Sequence, residues 1–294
     1  MLINRARPAS VALETTLLLH GVPRGQGEPL AYELARIVQD RGAHPLLVGV
    51  VAGRPTVGLT NEELTALLAA DGVPKANSSN LGVFIARGRH AATTVSTTME
   101  LAAAAGVQVF ATGGLGGVHR GYGEHLDISA DLAAFTRFPV AVVTSGVKSI
   151  LDVEATREAL ETLGVPVIGW QTDRFPAFYL RESAAGVDAR FDDIGELAAY
   201  VRHELARTGR GIVVCNPIPA ASELPRADWD RWLAEAINEA ERAGIAGRET
   251  TPFLLAHLHG ASGGATLRAN LDLVRSNAAL AAELARRLAP GVTA

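Results

Sequence analysis

Short apolar runs alternate along the chain with amphipathic segments, and this alternation predicts a layered α/β protein. The apolar runs predict strands over residues 10–20, 44–53, 82–86, 107–111, 140–144, 166–172 and 211–215. The amphipathic segments predict helices over 28–41, from Thr60, over 93–106, from Asp127 or Ser129, over 149–163, 194–207 and 227–243, and two more that meet at Gly263 and Gly264.

Length and composition indicate one ordinary globular domain over residues 1–294. The chain is 48% hydrophobic and 20% charged, which is enough apolar material for a large core. The net charge of −4 and the absence of a basic stripe argue against a nucleic-acid partner. Cys215 is the single cysteine and Glu14 interrupts the apolar N-terminal run, so we expect a cytoplasmic protein without a membrane span.

Lysine is the rarest basic residue here. Of 27 lysines and arginines, only Lys75 and Lys148 are lysines, and the other 25 are arginines. An arginine stays protonated, whereas a buried lysine can lose its proton and form a Schiff base with a carbonyl. Codon bias is the alternative explanation. Lys148 follows a predicted strand and directly precedes the helix predicted from Ser149, which is the edge of an α/β sheet where ligands bind.

Glu14 is an acid inside a predicted apolar strand. A carboxylate buried there is costly unless it is paired or protonated, so we expect it to face a pocket. A glutamate on an edge strand, pointing to water, is the alternative.

A glycine-rich loop follows the strand predicted over 107–111 and contains His119 and Arg120. Six glycines in residues 113–123 would let the backbone approach an anion closely, although the spacing is neither GxGxxG nor a Walker loop. A threonine-rich helix start around Thr94 is a second, weaker candidate for binding an anion, because threonine is also a common helix cap.

Two spaced pairs leave their roles open. Asp127 and Asp131 are four apart, so at a helix start they would share a face and could bind a divalent cation, although an N-cap with a first-turn charge is the commoner arrangement. Asn270 and Asn277 are seven apart on one face of the last helix, and there ligand binding and helix packing are equally compatible with the spacing.

These residues favour amine chemistry on a phosphorylated carbonyl compound, and longer motifs then connect the chain to a known family. The motifs are VALETTLLLHG, VGLTNEEL, TTVSTTM, GVQVFATGGLGGVHRG, LDISADL, SGVKSILD, ETLGVPVIGWQTDRFPAFYLRES, NPIP, TPFLL and GG-x-x-L-x-AN. In this order, and nearly from end to end, they resemble the pseudouridine-5′-phosphate glycosidase family, also called the indigoidine synthase A-like family.

The resemblance implies a three-layer αβα fold around a central mixed sheet, a homotrimer and a divalent cation, usually Mn²⁺. It implies an enzyme that makes and breaks the C–C bond between ribose 5-phosphate and an aromatic acceptor, uracil. Such a bond has no good leaving group, and an imine between a lysine and the opened sugar turns its cleavage into a retro-Mannich step.

The resemblance also carries roles onto residues of this chain. Lys148 resembles the Schiff-base lysine, Glu14 the acid that protonates the departing ring carbon, and Asp127 the metal ligand. The remaining positions resemble substrate contacts, with Asn270 near the base and several others near the phosphate or sugar: Lys75, Thr94, Val95, Thr112, His119, Arg120, Ser129, Ala130, Asp131 and Asn270.

Two segments depart from the family pattern. After Lys75, the usual Ser-Arg-Arg-Asp-Leu-Pro is replaced by ANSSNLG, and after Gly21 the usual Leu-Pro-Tyr-Pro-x-Asn is replaced by VPRGQG. The main hypothesis is therefore a C-ribosylating member of the family that takes a larger aromatic acceptor. The alternatives are a pseudouridine-5′-phosphate glycosidase that releases uracil and a non-catalytic homologue that binds sugar phosphates.

Overall fold

The computed structural model describes residues 1–245 and 250–289, and a large mixed sheet runs through it. The strands are β1 (Ile3–Asn4), β2 (Ser10–Glu14), β3 (His44–Val51), β4 (Arg54–Val57), β5 (Lys75–Ala76), β6 (Ala91–Thr93), β7 (Val109–Ala111), β8 (Ala141–Thr144), β9 (Val167–Trp170), β10 (Ala189–Phe191) and β11 (Ile212–Cys215).

Twelve α-helices and one short 3₁₀ helix, over 220–222, occupy these described residues. They are α1 (Thr16–His20), α2 (Gly27–Asp40), α3 (Asn61–Ala69), α4 (Leu81–Ala86), α5 (Val95–Ala104), α6 (Tyr122–His125), α7 (Ala130–Phe135), α8 (Val153–Thr162), α9 (Ile194–Thr208), α10 (Arg226–Arg242), α11 (Thr250–Ala261) and α12 (Ala265–Leu288). Within the described ranges, no helix is long and apolar enough to cross a membrane.

The sheet is mostly parallel, in the order β1-β4-β3-β2-β7-β8-β11-β9-β10, with β5 and β6 attached beside β3. Only the pairs β3–β4 and β3–β6 are antiparallel. Strands β8 and β11 are buried along their whole length, as expected where helices cover both faces of a parallel sheet.

Helices form a layer on each side of the sheet. On one side α12 packs against α2, α9 and strands β2, β7 and β8, and on the other α5 packs against α7, β2 and β3. The predicted α/β fold, three-layer αβα with a central mixed sheet, is therefore confirmed. The single-domain prediction for 1–294 stays a prediction, because residues 246–249 and 290–294 lie outside the described residues.

Several predicted elements agree closely with the structure. The pattern Thr60 to Glu63 forms a capping box in which the threonine side chain accepts from the Glu63 N–H and the glutamate accepts from the Thr60 N–H. The glycine pair at 263–264 separates α11 from α12, with both glycines at positive φ (54° and 79°).

The strand predicted over 10–20 is wrong in its second half. It ends at Glu14, and residues 16–20 form α1. Thr15 ends the strand, because its hydroxyl donates to the carbonyl of Val48 and its own carbonyl accepts from the N–H groups of Leu18 and Leu19. The apolar run continues in sequence, but these contacts turn it into a helix.

The strand predicted over 82–86 is also wrong, since these residues belong to helix α4. Leu81 and Phe84 are its buried residues, and the spacing of three is helical, whereas Val83 and Ile85 are exposed. A short turn prepares the helix: the carbonyl of Asn77 accepts from the N–H of Leu81.

The helix predicted from Ser149 begins later, at Val153, with Asp152 as its cap. The residues before it pair with the glycine-rich loop, as the isolated bridge between Val118 and Asp152 shows. Lys148 therefore does not lie at a helix N-terminus, and the contacts of its loop decide its placement.

Candidate active site

The proposed catalytic residues lie together because parallel strands end at one edge of the sheet. Glu14 is the last residue of β2, Thr112 follows β7 and Lys148 comes four residues after β8. Strands β2, β7 and β8 are neighbours and parallel, so their carboxyl ends bring these three residues to one place.

The Glu14 carboxyl has a perturbed pKa. Burial raises the pKa of Glu14 above the usual value, while the Lys148 ammonium and the Thr112 hydroxyl oppose that shift. Thr112 donates directly to Oε1 of Glu14. Smaller effects come from Asp131, which raises the pKa of Glu14, and from Lys75, which lowers it. A carboxyl of this kind can act as an acid closer to neutrality than an ordinary glutamate.

Lys148 is partly buried and its backbone is fixed. We call residues 113–118 the glycine loop and residues 145–148 the lysine loop. The two run side by side: the Ser145 N–H donates to the Gly113 carbonyl at 3.0 Å, the Leu115 N–H to Gly146 at 2.9 Å, and the Lys148 N–H back to Leu115 at 3.1 Å. This ladder fixes the base of the Lys148 side chain relative to the glycine loop.

Lys75 reaches the same site from strand β5. The residue keeps part of its surface exposed, and the partial burial of its ammonium together with the Lys148 charge lowers the pKa of Lys75, which Glu14 opposes. The sequence separates the two lysines by 73 positions, and the structure brings both close enough to Glu14 for their charges to lower its pKa.

His20 is a site residue that the sequence analysis missed. Partial burial of the ring and the nearby Lys75 charge lower the pKa of His20. Its position in the sequence could have identified it, because His20 ends the segment that carries Glu14 and immediately precedes Gly21.

Asp131 connects the glycine loop to helix α5. Its Oδ2 accepts from the Gly116 N–H at 2.9 Å and its Oδ1 from the Ser96 N–H at 3.0 Å. Ser129 caps α7 by accepting from the Asp131 N–H at 3.2 Å, and Ala130 is the first residue of that helix. A Cβ on Gly116 would lie 2.3 Å from Oγ of Ser129, so this position has no room for a side chain.

Thr94 and Val95 form the start of α5. Thr94 is the N-cap residue, but its hydroxyl donates to the Ala76 carbonyl at 2.9 Å and does not cap the helix. Val95 is buried. The start of α5 is therefore hydrogen-bonded to Ala76, the residue after Lys75, and, through the N–H of Ser96, to Asp131.

His119, Arg120 and Asp127 form the outer rim of the site. Nδ1 of His119 lies 3.7 Å from Oδ2 of Asp127, with 28% and 47% of the two side chains exposed, and Arg120 is exposed. The shared helix face predicted for Asp127 and Asp131 is wrong, because α7 begins at Ala130 and Asp127 precedes it. The rim therefore carries basic side chains and the Asp127 carboxylate, but Asp131 does not join Asp127 there.

No group of three His, Cys, Asp or Glu side chains that could hold a metal occurs in the part of the chain that the structure describes. Asp127 supplies one half-exposed carboxylate, so a divalent cation there would need water or substrate oxygens for its remaining ligands. The described side chains do not by themselves form a metal centre.

Asn270 approaches from α12. Its Nδ2 donates to the Gly21 carbonyl at 3.4 Å, and its Oδ1 is buried without a partner among the described residues. A Cβ on Gly113 would lie 3.4 Å from that Oδ1, so Asn270 stands between Gly21 and the glycine loop. A buried acceptor without a partner is an available ligand contact.

Two cavities lie elsewhere in the fold. One of about 350 Å³ lies at the amino ends of β2 and β7, beside Ser10 and Val107, and one of about 360 Å³ lies beyond β9, beside Gln171 and Arg190. Neither is lined by a residue predicted for the site. The candidate active site lies instead at the carboxyl edge of the sheet, built from the glycine loop, the lysine loop, β5 and α12.

Comparison with known proteins agrees with the sequence motifs. The model of the family described as indigoidine synthase A-like protein matches residues 3–287. A pseudouridine-5′-phosphate glycosidase from Methylobacterium nodulans is 49% identical over 94% of this chain and 82% of its own length. One from Saccharopolyspora erythraea is 45% identical over 98% of this chain and 95% of its own length.

Two solved structures are similar throughout. The prealnumycin C-glycosynthase AlnA in complex with ribulose 5-phosphate has a TM-score of 0.90 and 36% identity, covering 96% of this chain and 92% of its own. An indigoidine synthase A-like protein from Thermotoga maritima has a TM-score of 0.89 and 35% identity, covering 98% and 96%. The solved structures therefore share the fold of this chain.

Proposed function

The chain belongs to the indigoidine synthase A-like family, and from that premise we propose that it is a pseudouridine-5′-phosphate glycosidase. It would cleave the C–C bond of pseudouridine 5′-phosphate reversibly to uracil and ribose 5-phosphate. Identities of 45–49% to glycosidases, against 36% to a C-glycosynthase, favour this activity over the larger acceptor that the sequence departures suggested.

One observation carries the proposal. The half-buried Glu14 carboxyl, whose pKa burial raises, lies within the electrostatic reach of both lysines of the chain. A carboxyl with a raised pKa next to an amine is the pair that imine chemistry at a carbon centre needs.

Lys148 would supply the nucleophile. Once the ammonium has given its proton to solvent, the amine attacks C1′ of the ribose, the bond from C1′ to the ring oxygen breaks, and an amine proton passes to that oxygen. The sugar is then open and bound to Lys148 through a C–N bond. The ladder between the lysine loop and the glycine loop holds the Lys148 backbone during this change.

Glu14 would supply the proton. The nitrogen lone pair forms the imine as the bond from C1′ to the uracil ring breaks, and Glu14 gives its proton to that ring carbon. The products of this step are a protonated imine on Lys148 and a carboxylate at Glu14, which stabilise each other by charge. Water then hydrolyses the imine, and ribose 5-phosphate leaves as the aldehyde.

The rest of the site would bind the substrate. His119 and Arg120, directly after the glycine loop, suit the phosphate, with Thr94 and Val95 at the start of α5 beside Lys75. Asn270, whose Oδ1 has no protein partner among the described residues, suits the N–H groups of the base. Ser129, Ala130 and Asp131 would shape the pocket between them.

A divalent cation, Mn²⁺ by family resemblance, stays a proposal at Asp127, and it would screen the charge of the sugar phosphate. Activity that survives a chelator would contradict it. The homotrimer is likewise a proposal from the family, and light scattering of the purified protein tests it.

The decisive experiment combines borohydride trapping with turnover. The protein reduced in the presence of ribose 5-phosphate should gain the mass of one reduced sugar phosphate at Lys148, and it should release uracil from pseudouridine 5′-phosphate. Lys148→Ala should lose both, whereas Lys75→Met should retain the adduct. No adduct in the wild-type protein, or an unchanged adduct in Lys148→Ala, contradicts the proposal.

The second candidate is a C-ribosylating enzyme with a larger aromatic acceptor, favoured by the altered segments after Gly21 and Lys75. It requires an adduct at Lys148 with slow release of uracil and faster coupling of ribose 5-phosphate to a polycyclic phenol. Binding of ribose 5-phosphate without any adduct would instead indicate a non-catalytic homologue.

A further inference from the structure

A fully buried asparagine, Asn277, lies behind the active site on α12. It has no exposed surface, and each polar atom of its side chain has a partner. Its Nδ2 donates to the Thr112 carbonyl at 2.8 Å and lies 3.1 Å from Oγ of Ser145, while its Oδ1 accepts from Nδ2 of Asn216 at 2.9 Å.

These partners follow three different strands. Thr112 follows β7, Ser145 follows β8 and Asn216 follows β11, so one side chain connects three neighbouring carboxyl ends of the sheet. The Ser145 hydroxyl also donates to the Asn216 carbonyl at 2.9 Å. A buried network in which every member is satisfied is rigid, because any displacement leaves a polar group unpaired.

The network leads directly to both proposed reacting groups. Thr112 is held at its N–H by Val143 (3.0 Å) and at its carbonyl by Asn277, and its hydroxyl donates to Glu14. Ser145 begins the lysine loop, three residues before Lys148. Asn270, two turns earlier on the same face of α12, differs because its Oδ1 lacks a partner among the described residues and lies beside Gly113.

We propose that Asn277 is a positioning residue for the reaction: through Thr112 it orients the Glu14 carboxyl, and through Ser145 it sets the start of the lysine loop. This role rests on the proposed function, since it assigns Asn277 to the geometry of the acid and the amine. Asn277 does not touch the substrate, so its loss should lower kcat more than it changes KM.

The test removes the Asn277 N–H group that donates to the Thr112 carbonyl. Asn277→Asp keeps the size of the side chain and an acceptor for Asn216, but an ionised aspartate cannot donate to the Thr112 carbonyl. We expect kcat for cleavage to fall by about 10- to 100-fold, the loss typical of a misplaced catalytic group. Borohydride trapping of ribose 5-phosphate at Lys148 should persist.

The pH dependence gives a readout that a loss of stability alone would not produce. The charged groups acting on Glu14 are Lys148, Lys75 and Asp131, and the Thr112 hydroxyl stabilises its carboxylate form. Releasing that hydroxyl raises the pKa of Glu14 further, so the alkaline limb of kcat should move to higher pH. Thr112→Val should shift the limb in the same way, and adding Asn277→Asp to Thr112→Val should shift it no further.

Two further variants keep the test decisive. Asn277→Ser avoids a buried charge if the aspartate variant does not fold. Leu284→Ala, a buried residue of α12 seven positions later, lowers stability without touching the network and should leave the alkaline limb in place. A folded Asn277 variant with wild-type kcat and pH profile overturns the inference. Failure of the proposed function is read separately, from an absence of turnover and adduct in the wild-type protein.

Discussion

Two parts of the site are built in different ways. The glycine and lysine loops hold each other through a ladder of backbone hydrogen bonds, and their side chains are mostly buried. The acceptor segments, which we define as residues 23–26 and 77–80, are held mainly by local contacts. In the first every residue is exposed, and in the second Asn77 and Asn80 bond to their own turn.

The difference shows where sequence change is tolerated. A substitution in the paired loops disturbs two strand ends at once, because each residue of one loop positions the other. A substitution in an acceptor segment changes a local turn and leaves the sheet intact. Most of the departures from the family pattern fall in the acceptor segments, so the reaction and the choice of acceptor are predicted to be separable.

The largest effect is expected from Glu14→Gln, which removes the acid and leaves the loops intact. Cleavage should fall by roughly 10² to 10⁴-fold, the usual contribution of general acid catalysis, while the ribose 5-phosphate adduct at Lys148 remains. Parallel assays of trapping and of uracil release test this. Loss of the adduct together with turnover would mean that Glu14 serves the amine and not the departing carbon.

Glu14 also predicts that the rates of cleavage and of synthesis depend on pH in opposite ways. Because the pKa of Glu14 is raised, its acid form persists to higher pH than that of an ordinary glutamate. Cleavage needs the protonated form and should decline as pH rises through the pKa of Glu14. Synthesis needs the carboxylate and should decline as pH falls through it. Both limbs should be absent in Glu14→Gln.

A smaller effect is expected from Gly116→Ala in the glycine loop. The new methyl would lie 2.7 Å from Oδ2 of Asp131 and closer still to Ser129, so the loop must shift. We expect a loss of stability of about 1–3 kcal/mol, as for other overpacked sites, and a lower kcat. Gly123→Ala is the matched control, since a methyl there meets no atom within 4 Å. Equal melting temperatures for the two variants would contradict the close packing of Gly116 against Ser129 and Asp131.

Arg120→Ala tests the rim. Arg120 is exposed, so its removal should leave stability nearly unchanged, and we expect KM for pseudouridine 5′-phosphate to rise about tenfold through the loss of one charge-assisted phosphate contact. Inorganic phosphate should also inhibit the variant less. A change in kcat alone would place Arg120 outside the phosphate site.

The smallest effect is expected in the acceptor segments. Arg24 makes only an exposed ion pair with Asp71, so Arg24→Tyr, which restores the aromatic residue of the family pattern, should not alter folding or trapping at Lys148. It should change KM for the base by a few-fold, as one added stacking contact does. Gly27 cannot be changed back to the family residue in the same way, because a Cβ at this position would lie 2.4 Å from the Leu18 carbonyl oxygen.

Much of the architecture follows from local patterns that the sequence contains. The apolar runs at 44–51, 141–144 and 212–215 form buried strands, and the capping box at Thr60 starts its helix where predicted. Glu14 in an apolar strand, the rarity of lysine and the glycine-rich loop all identified residues that the structure places at one edge of the sheet.

Long-range contacts decided the rest. Thr15 stops strand β2 because it bonds to residues 33 and 78 positions away, Val48 and Thr93, and no local propensity encodes that. The spacing of Asn270 and Asn277 left ligand binding and packing equally open. The structure distinguishes the two asparagines. Groups at three distant strand ends satisfy the side chain of Asn277, whereas the Oδ1 of Asn270 has no partner among the described residues. The sequence determined which groups could react, and the tertiary contacts determined which of them meet, since burial and hydrogen bonding depend on neighbours far away along the chain.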